Sequence, residues 1–150
     1  MPIFKFLHIL SMFLAVGIAV GADLLLYRIA QTRDAGAIRA AFPAAWKYTT
    51  ASQLLFVVGM ILGLIGAFLG QFNLFAPWLL IAYVLFAVVI ILRGSITTTW
   101  QQRVLQAAKN ESADLQILLD DKTPRHAIWA YVVLLIVIVY AMVMKPGGIQ

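Results

Sequence analysis

Four apolar stretches, each about 20 residues long and nearly free of charge, dominate this chain, and that is the length a helix needs to cross a bilayer. They run over approximately 3–27, 50–69, 75–98 and 127–144. In lipid every backbone N–H and C=O must be satisfied within the segment, so apolar runs of this length predict helices. The composition agrees: 63% of residues are hydrophobic and 11% are charged, well under the quarter expected of a soluble domain. The fold class predicted is all-α, an integral membrane, up-down four-transmembrane-helix bundle forming a single domain over residues 1–150.

The net charge of +5 would suggest nucleic acid in a soluble protein. Here the cations fall in the links: Arg28, Arg33, Arg39 and Lys47 after the first span, and Arg103, Lys109, Lys122 and Arg125 after the third. Those links share one side, so the positive-inside rule predicts that 28–49 and 99–126 are cytoplasmic and both termini outside. The expected location is a bacterial inner (plasma) membrane, with membrane lipid as the surroundings and no nucleic-acid partner. The chain has no cysteine, which excludes disulfides, thiolate metal sites, iron–sulfur clusters and covalent c-type haem. Lys5 before an apolar run and the small residues Val20-Gly21-Ala22 imitate a signal peptide, but the run continues through Leu24-Leu25-Leu26, so a retained first helix is expected.

Local signals refine the helix limits. Thr49 or Thr50 is expected to N-cap the second helix, and Thr123 before Pro124 to open the fourth. Lys145-Pro146-Gly147-Gly148 would end it, and Gln71-Phe72-Asn73 would form a tight turn. The third helix is expected to project through Gln101-Gln102-Arg103, with an amphipathic turn or two over Ser112 to Leu119. Gly17-x3-Gly21, Gly59-x3-Gly63 and Gly66-x3-Gly70 place small residues one turn apart for close helix packing, within the chain or in a dimer. Trp46, Tyr48, Trp100 and Trp129 are expected to anchor the inner boundary, and Trp78 the outer one.

Three ionisable residues fall at membrane depth: His8, Asp23 and Arg93. A buried charge there needs a partner, a cavity or a function. Asp23 and Arg93 lie about 20 and 18 residues in from the same side, hence at one depth at 1.5 Å per residue, and are expected to form an intramembrane ion pair. The competing readings are an Arg93 that snorkels to headgroups and a site for an acidic headgroup, propionate or substrate. His8 sits near the outer surface, where its imidazole is either a hydrogen-bonded packing residue or a ligand for metal or haem iron. Ser11, Met12, Ala15 and Ala19 continue its stripe, and Tyr140, Met142 and Met144 of the outward-running fourth span come to its level. His126, at the far end of that span, is too distant to ligate the same centre.

The run Lys5-Phe6-Leu7-His8-Ile9-Leu10-Ser11-Met12 resembles the first helix of the CopD-like membrane superfamily, which includes HemJ-type protoporphyrinogen oxidases and copper-resistance CopD domains. The Val143-Met144-Lys145-Pro146 ending is similar too. The resemblance implies His8 as axial ligand of a haem b, with Lys5 near haem or substrate carboxylates. Asp23-Leu24 stands where the HemJ branch has a Pro-Arg pair, which argues against carrying over protoporphyrinogen oxidation. The expected function is a haem b protein of electron transfer or haem-linked oxidation, with Met142 or Met144 as second ligand. The alternatives are a cofactor-free accessory subunit of a larger membrane complex or homo-oligomer, and copper handling through His8, Met12, Met142 and Met144. No nucleotide-binding glycine loop, metalloprotease motif or serine–histidine pair is present.

Overall fold

The computed structural model describes residues 2–71 and 73–144. Six α-helices follow one another: α1 (Pro2–Gln31), α2 (Ala35–Leu69), α3 (Pro77–Leu92), α4 (Thr99–Lys109), α5 (Asp114–Asp120) and α6 (Thr123–Met144). A π-helical segment, Arg93–Thr98, joins α3 to α4, so that Pro77–Lys109 is one continuous rod. The protein is an all-α, four-helix membrane bundle: α1, α2, the rod and α6 are long and apolar enough to cross a bilayer. One end of the bundle, the basic end, carries α4, α5 and most of the basic residues; the turn after α2 lies at the other.

The first link departs from expectation. Residues 28–49 are not a loop: α1 continues to Gln31, a turn of three residues follows, and α2 begins at Ala35. Asp34 is its N-cap, accepting from the N–H groups of Gly36 and Ala37 at 2.7 and 3.2 Å. Thr49 and Thr50 therefore cap nothing; they lie inside the helix and their hydroxyls donate back to the carbonyls of Ala45 and Trp46. An aspartate whose side chain meets two free N–H groups outcompetes a threonine at a position where the preceding residues already propagate the helix. Arg33 takes a left-handed φ of 59° to make the turn. Pro43 sits inside α2 on an exposed face, where the carbonyl it leaves free can meet water. At 1.5 Å per residue, α2 is about 52 Å long and overshoots a 30 Å hydrocarbon core by roughly 20 Å.

That overshoot builds a small core at the basic end. Leu26 and Ala30 of α1, Ile38, Phe42 and Ala45 of α2, Trp100, Val104 and Ala108 of α4, and Leu115 and Leu119 of α5 are buried together. Trp100 is consequently not a boundary anchor. It is 4% exposed, donates from its indole N–H to the Leu118 carbonyl at 2.9 Å, and packs at a tilt against the rings of Tyr27 and Phe42. An indole needs one acceptor to be buried at little cost, and α5 supplies it. Arg33 binds Gln116 at 2.8 Å and pairs with Asp120, tying the α1–α2 turn to α5. Trp46, Tyr48 and Trp129 are exposed, in keeping with a boundary position.

Within the slab the helices pack as two pairs. Along α1–α2, Ser52 donates to the Ala15 carbonyl at 2.9 Å, Met12 lies on Gly59, His8 on Gly63 and Phe4 on Gly66. The α3–α6 pair buries Ala82, Val89, Ile128, Tyr131 and Ile138. At the start of α6, Thr123 is the first helical residue rather than its cap, and Asp121, two residues earlier, accepts from its N–H at 2.8 Å. Phe72 and Lys145-Pro146-Gly147-Gly148 lie outside the described residues.

Candidate functional site: a buried carboxylate and a seated histidine

Asp23 is 2% exposed and stands where α1, α6 and the rod converge. Its carboxylate accepts from Arg93 Nε at 2.8 Å and Nη2 at 3.4 Å, from Gln101 Nε2 at 3.0 Å and from Tyr131 Oη at 2.8 Å. The structure thus brings Asp23 and Arg93 together and adds two partners. Four donations to a two-oxygen acceptor compensate most of what the carboxylate loses by leaving water. Arg93 does not snorkel away: its side chain is 14% exposed and its fork faces the carboxylate.

The π-helical segment explains how Arg93 and Gln101 share one target. Eight residues along an ideal α-helix turn through about 80° beyond two full turns, which would point the two side chains apart. Absorbing one extra residue in a π-turn brings that angle to within about 20° of zero. The wider pitch is visible in Thr99, whose hydroxyl donates to the carbonyl five residues back, at Gly94, over 3.2 Å. Gly94 has open space where a Cβ would stand. Sequence reasoning missed Gln101 and Tyr131; the signal for Tyr131 was a phenol in mid-span, one polar atom in need of a partner.

Thr97 lies between Arg93 and Gln101 and is fully buried, yet its hydroxyl has no hydrogen-bond partner among the described residues. Burying an unpartnered hydroxyl costs about 1–3 kcal/mol. Thr97→Val removes that cost at nearly constant shape, so thermal unfolding in detergent is expected to be unchanged or raised by up to about 1 kcal/mol. A loss of more than about 1 kcal/mol would mean that a bound water or ligand completes the hydroxyl.

His8 occupies a different level, near the end of the bundle remote from the basic end. Its Nδ1 lies 2.6 Å from the Gly59 carbonyl oxygen. That oxygen only accepts, so Nδ1 carries a proton, and in the neutral ring Nε2 carries the lone pair. Nε2 has no hydrogen-bond partner among the described residues. A Cβ on Gly63 would stand 2.7 Å from Nδ1 and 2.8 Å from Cε1, so the ring lies in a seat that only glycine leaves open. On the same seam, Met12 Sδ would be 2.8 Å from a Cβ on Gly59.

Met142 packs against the α3–α6 cluster, Met144 is 61% exposed, and Lys5 is exposed one turn before the histidine. No cluster of three or more His, Cys, Asp or Glu side chains suited to a metal occurs among the described residues.

The fold and these two polar centres define a small integral membrane protein whose charged group is neutralised inside the bundle. The model of the family described as predicted integral membrane protein (DUF2269) matches residues 2–146, and the chain belongs to that family. No curated protein and no solved structure matches it.

Proposed function

We propose that the protein is a haem b-binding membrane protein in which His8 Nε2 would hold the iron. The observation that carries this reading is the Nδ1–H bond to the Gly59 carbonyl. A ligating imidazole is usually held in this way by its other nitrogen, which fixes the tautomer and raises the basicity of the ligating one. The resemblance of Lys5 to Met12 to CopD-like first helices supports it independently. Lys5, three residues before His8 on one helix face, supplies a cation for propionate carboxylates. Met142 or Met144 would be the candidate for a second ligand. Haem, when bound, supplies one-electron redox chemistry.

In this reading Asp23, Arg93, Gln101 and Tyr131 do not take part in electron transfer. They lock α1, the rod and α6 together at the opposite end of the slab. The basic end is read as cytoplasmic by the positive-inside rule, in a bacterial inner membrane, which places His8 near the outer face. Met12 and His8 also lie a turn apart on the α2 glycines, and a thioether beside an imidazole suits copper(I), so copper handling is the second reading.

His8→Ala decides between a ligand and a packing residue. In the detergent-purified protein, haem by pyridine haemochrome is expected near one per chain and is expected to vanish in the variant, with helicity retained. Full haem occupancy in His8→Ala would remove the assignment, and stoichiometric copper with no haem in the parent protein would favour the second reading.

A further inference from the structure

At the boundary of the basic end, α1 and α6 diverge around a cavity of about 240 Å³ that belongs to neither polar centre. Arg28 and Gln31 line it from α1, Arg125 from α6, with Tyr27 and Trp129 as aromatic walls. Neither arginine makes an ion pair or hydrogen bond among the described residues, whereas Arg33, Arg39 and Arg93 each have an acidic partner. Two arginines line this one cavity with no acidic residue beside them in its lining, which favours an anion from outside.

The direction of the cavity says which kind. Gly17, Gly21, Leu24, Arg28 and Gln31 follow one another at intervals of four, three, four and three, and so form a single stripe along α1. Gly17 and Gly21 are exposed, and a Cβ on either would meet nothing within 4 Å. The stripe is therefore an open furrow that starts at the arginines and climbs into the apolar slab. From Arg28 to Gly17 it extends about 16 Å, close to the half-thickness of a hydrocarbon core and hence to the reach of one leaflet's acyl chain. Trp129, 53% exposed, stands at the level where indoles meet headgroups.

We infer that this cavity and furrow form a binding site for an anionic phospholipid. The headgroup phosphate lies between Arg28 and Arg125, Gln31 donates to its oxygens, and one acyl chain runs over Gly21 and Gly17. A basic pocket between membrane helices is the usual way in which anionic headgroups are held. A soluble anion would use the arginines but gain nothing from the furrow, and a second helix would use the furrow but gain nothing from the arginines. The site is independent of the haem reading.

The test is native mass spectrometry of the full chain exchanged from detergent into equal phosphatidylglycerol and phosphatidylcholine. One retained phosphatidylglycerol per chain is expected, and the variant Arg28→Gln/Arg125→Gln is expected to lose about 30-fold of the preference for the anionic lipid, two interfacial cations acting together. Gly17→Leu/Gly21→Leu fills the furrow and is expected to weaken long-chain phosphatidylglycerol while leaving the arginines in place. Both variants alter exposed positions, and retained helicity and a single gel-filtration peak establish that they fold.

Equal retention of the two lipids by the parent protein would overturn the site, as would a preference that survives in the arginine variant. Full displacement of the lipid by millimolar inorganic phosphate would identify a soluble-anion site instead. A parent dimer that the glycine variant turns into a monomer, with lipid binding unaltered, would assign the furrow to a helix interface.

Discussion

Asp23→Leu is expected to be the most damaging single substitution, costing about 3–5 kcal/mol, because it leaves the Arg93 guanidinium buried without its counter-charge. Gln101 and Tyr131 lose their acceptor in the same step. The cost lies mainly in the orphaned charge rather than in the contact removed. The double variant Asp23→Leu/Arg93→Leu is therefore expected to recover most of the stability, and to leave a bundle near the parent in thermal unfolding. Tyr131→Phe removes one of four donations and should cost about 1 kcal/mol. If Asp23→Leu unfolds within about 1 kcal/mol of the parent, Arg93 reaches the headgroups unaided and the network is not what joins these helices.

Gly63→Ala has the second largest expected effect, and its contrast with Gly59→Ala is the sharper observation. The new methyl at residue 63 would meet Nδ1 and Cε1 of His8 below 3.0 Å. The ring is rigid and pinned by its 2.6 Å bond to Gly59, so it can yield only by swinging out and breaking that bond. Overpacking of this kind costs about 1–3 kcal/mol. At residue 59 the methyl meets the Sδ and Cγ of Met12, whose unbranched side chain can turn aside, and a change under about 1 kcal/mol is expected. Gly66→Ala, 3.6 Å from the Phe4 Cβ, makes an ordinary contact and gains helix propensity. The order Gly63 far above Gly59 and Gly66, read as thermal unfolding in one detergent, follows from the seat of His8; equal losses at all three would mean that the ring is free.

Hydropathy made the membrane spans legible because it reads the solvent around a segment. The same property hid residues 35–49. Ala35-Gly-Ala-Ile38-Arg-Ala-Ala-Phe42 continues the helix into a second core, and a chain leaving the bilayer loses its apolar signature without losing its helix. Asp34 was a readable cap, as was the buried spacing of Ile38, Phe42 and Ala45 at four and three. Trp100 misled for a related reason: an indole near a boundary is usually an anchor, and only the fold of α5 turned it inward.

Asp23 and Arg93 were legible from depth alone, since two opposite charges at one level of a narrow bundle have few alternatives. Gln101 was not, because its angle to Arg93 depends on a π-turn that the sequence does not announce. The glycine repeats showed that helices approach closely, but not that Gly59, Gly63 and Gly66 receive α1 while Gly17 and Gly21 lie open.

The most direct test of the account is a reduced-minus-oxidised visible spectrum of the purified full-length protein in detergent. A haem b spectrum at near one haem per chain, lost in His8→Ala, is the result predicted from a His8 ring whose Nδ1 is held by the Gly59 carbonyl, which leaves Nε2 to ligate. A folded, colourless protein that stays colourless when expressed with excess haem would contradict it.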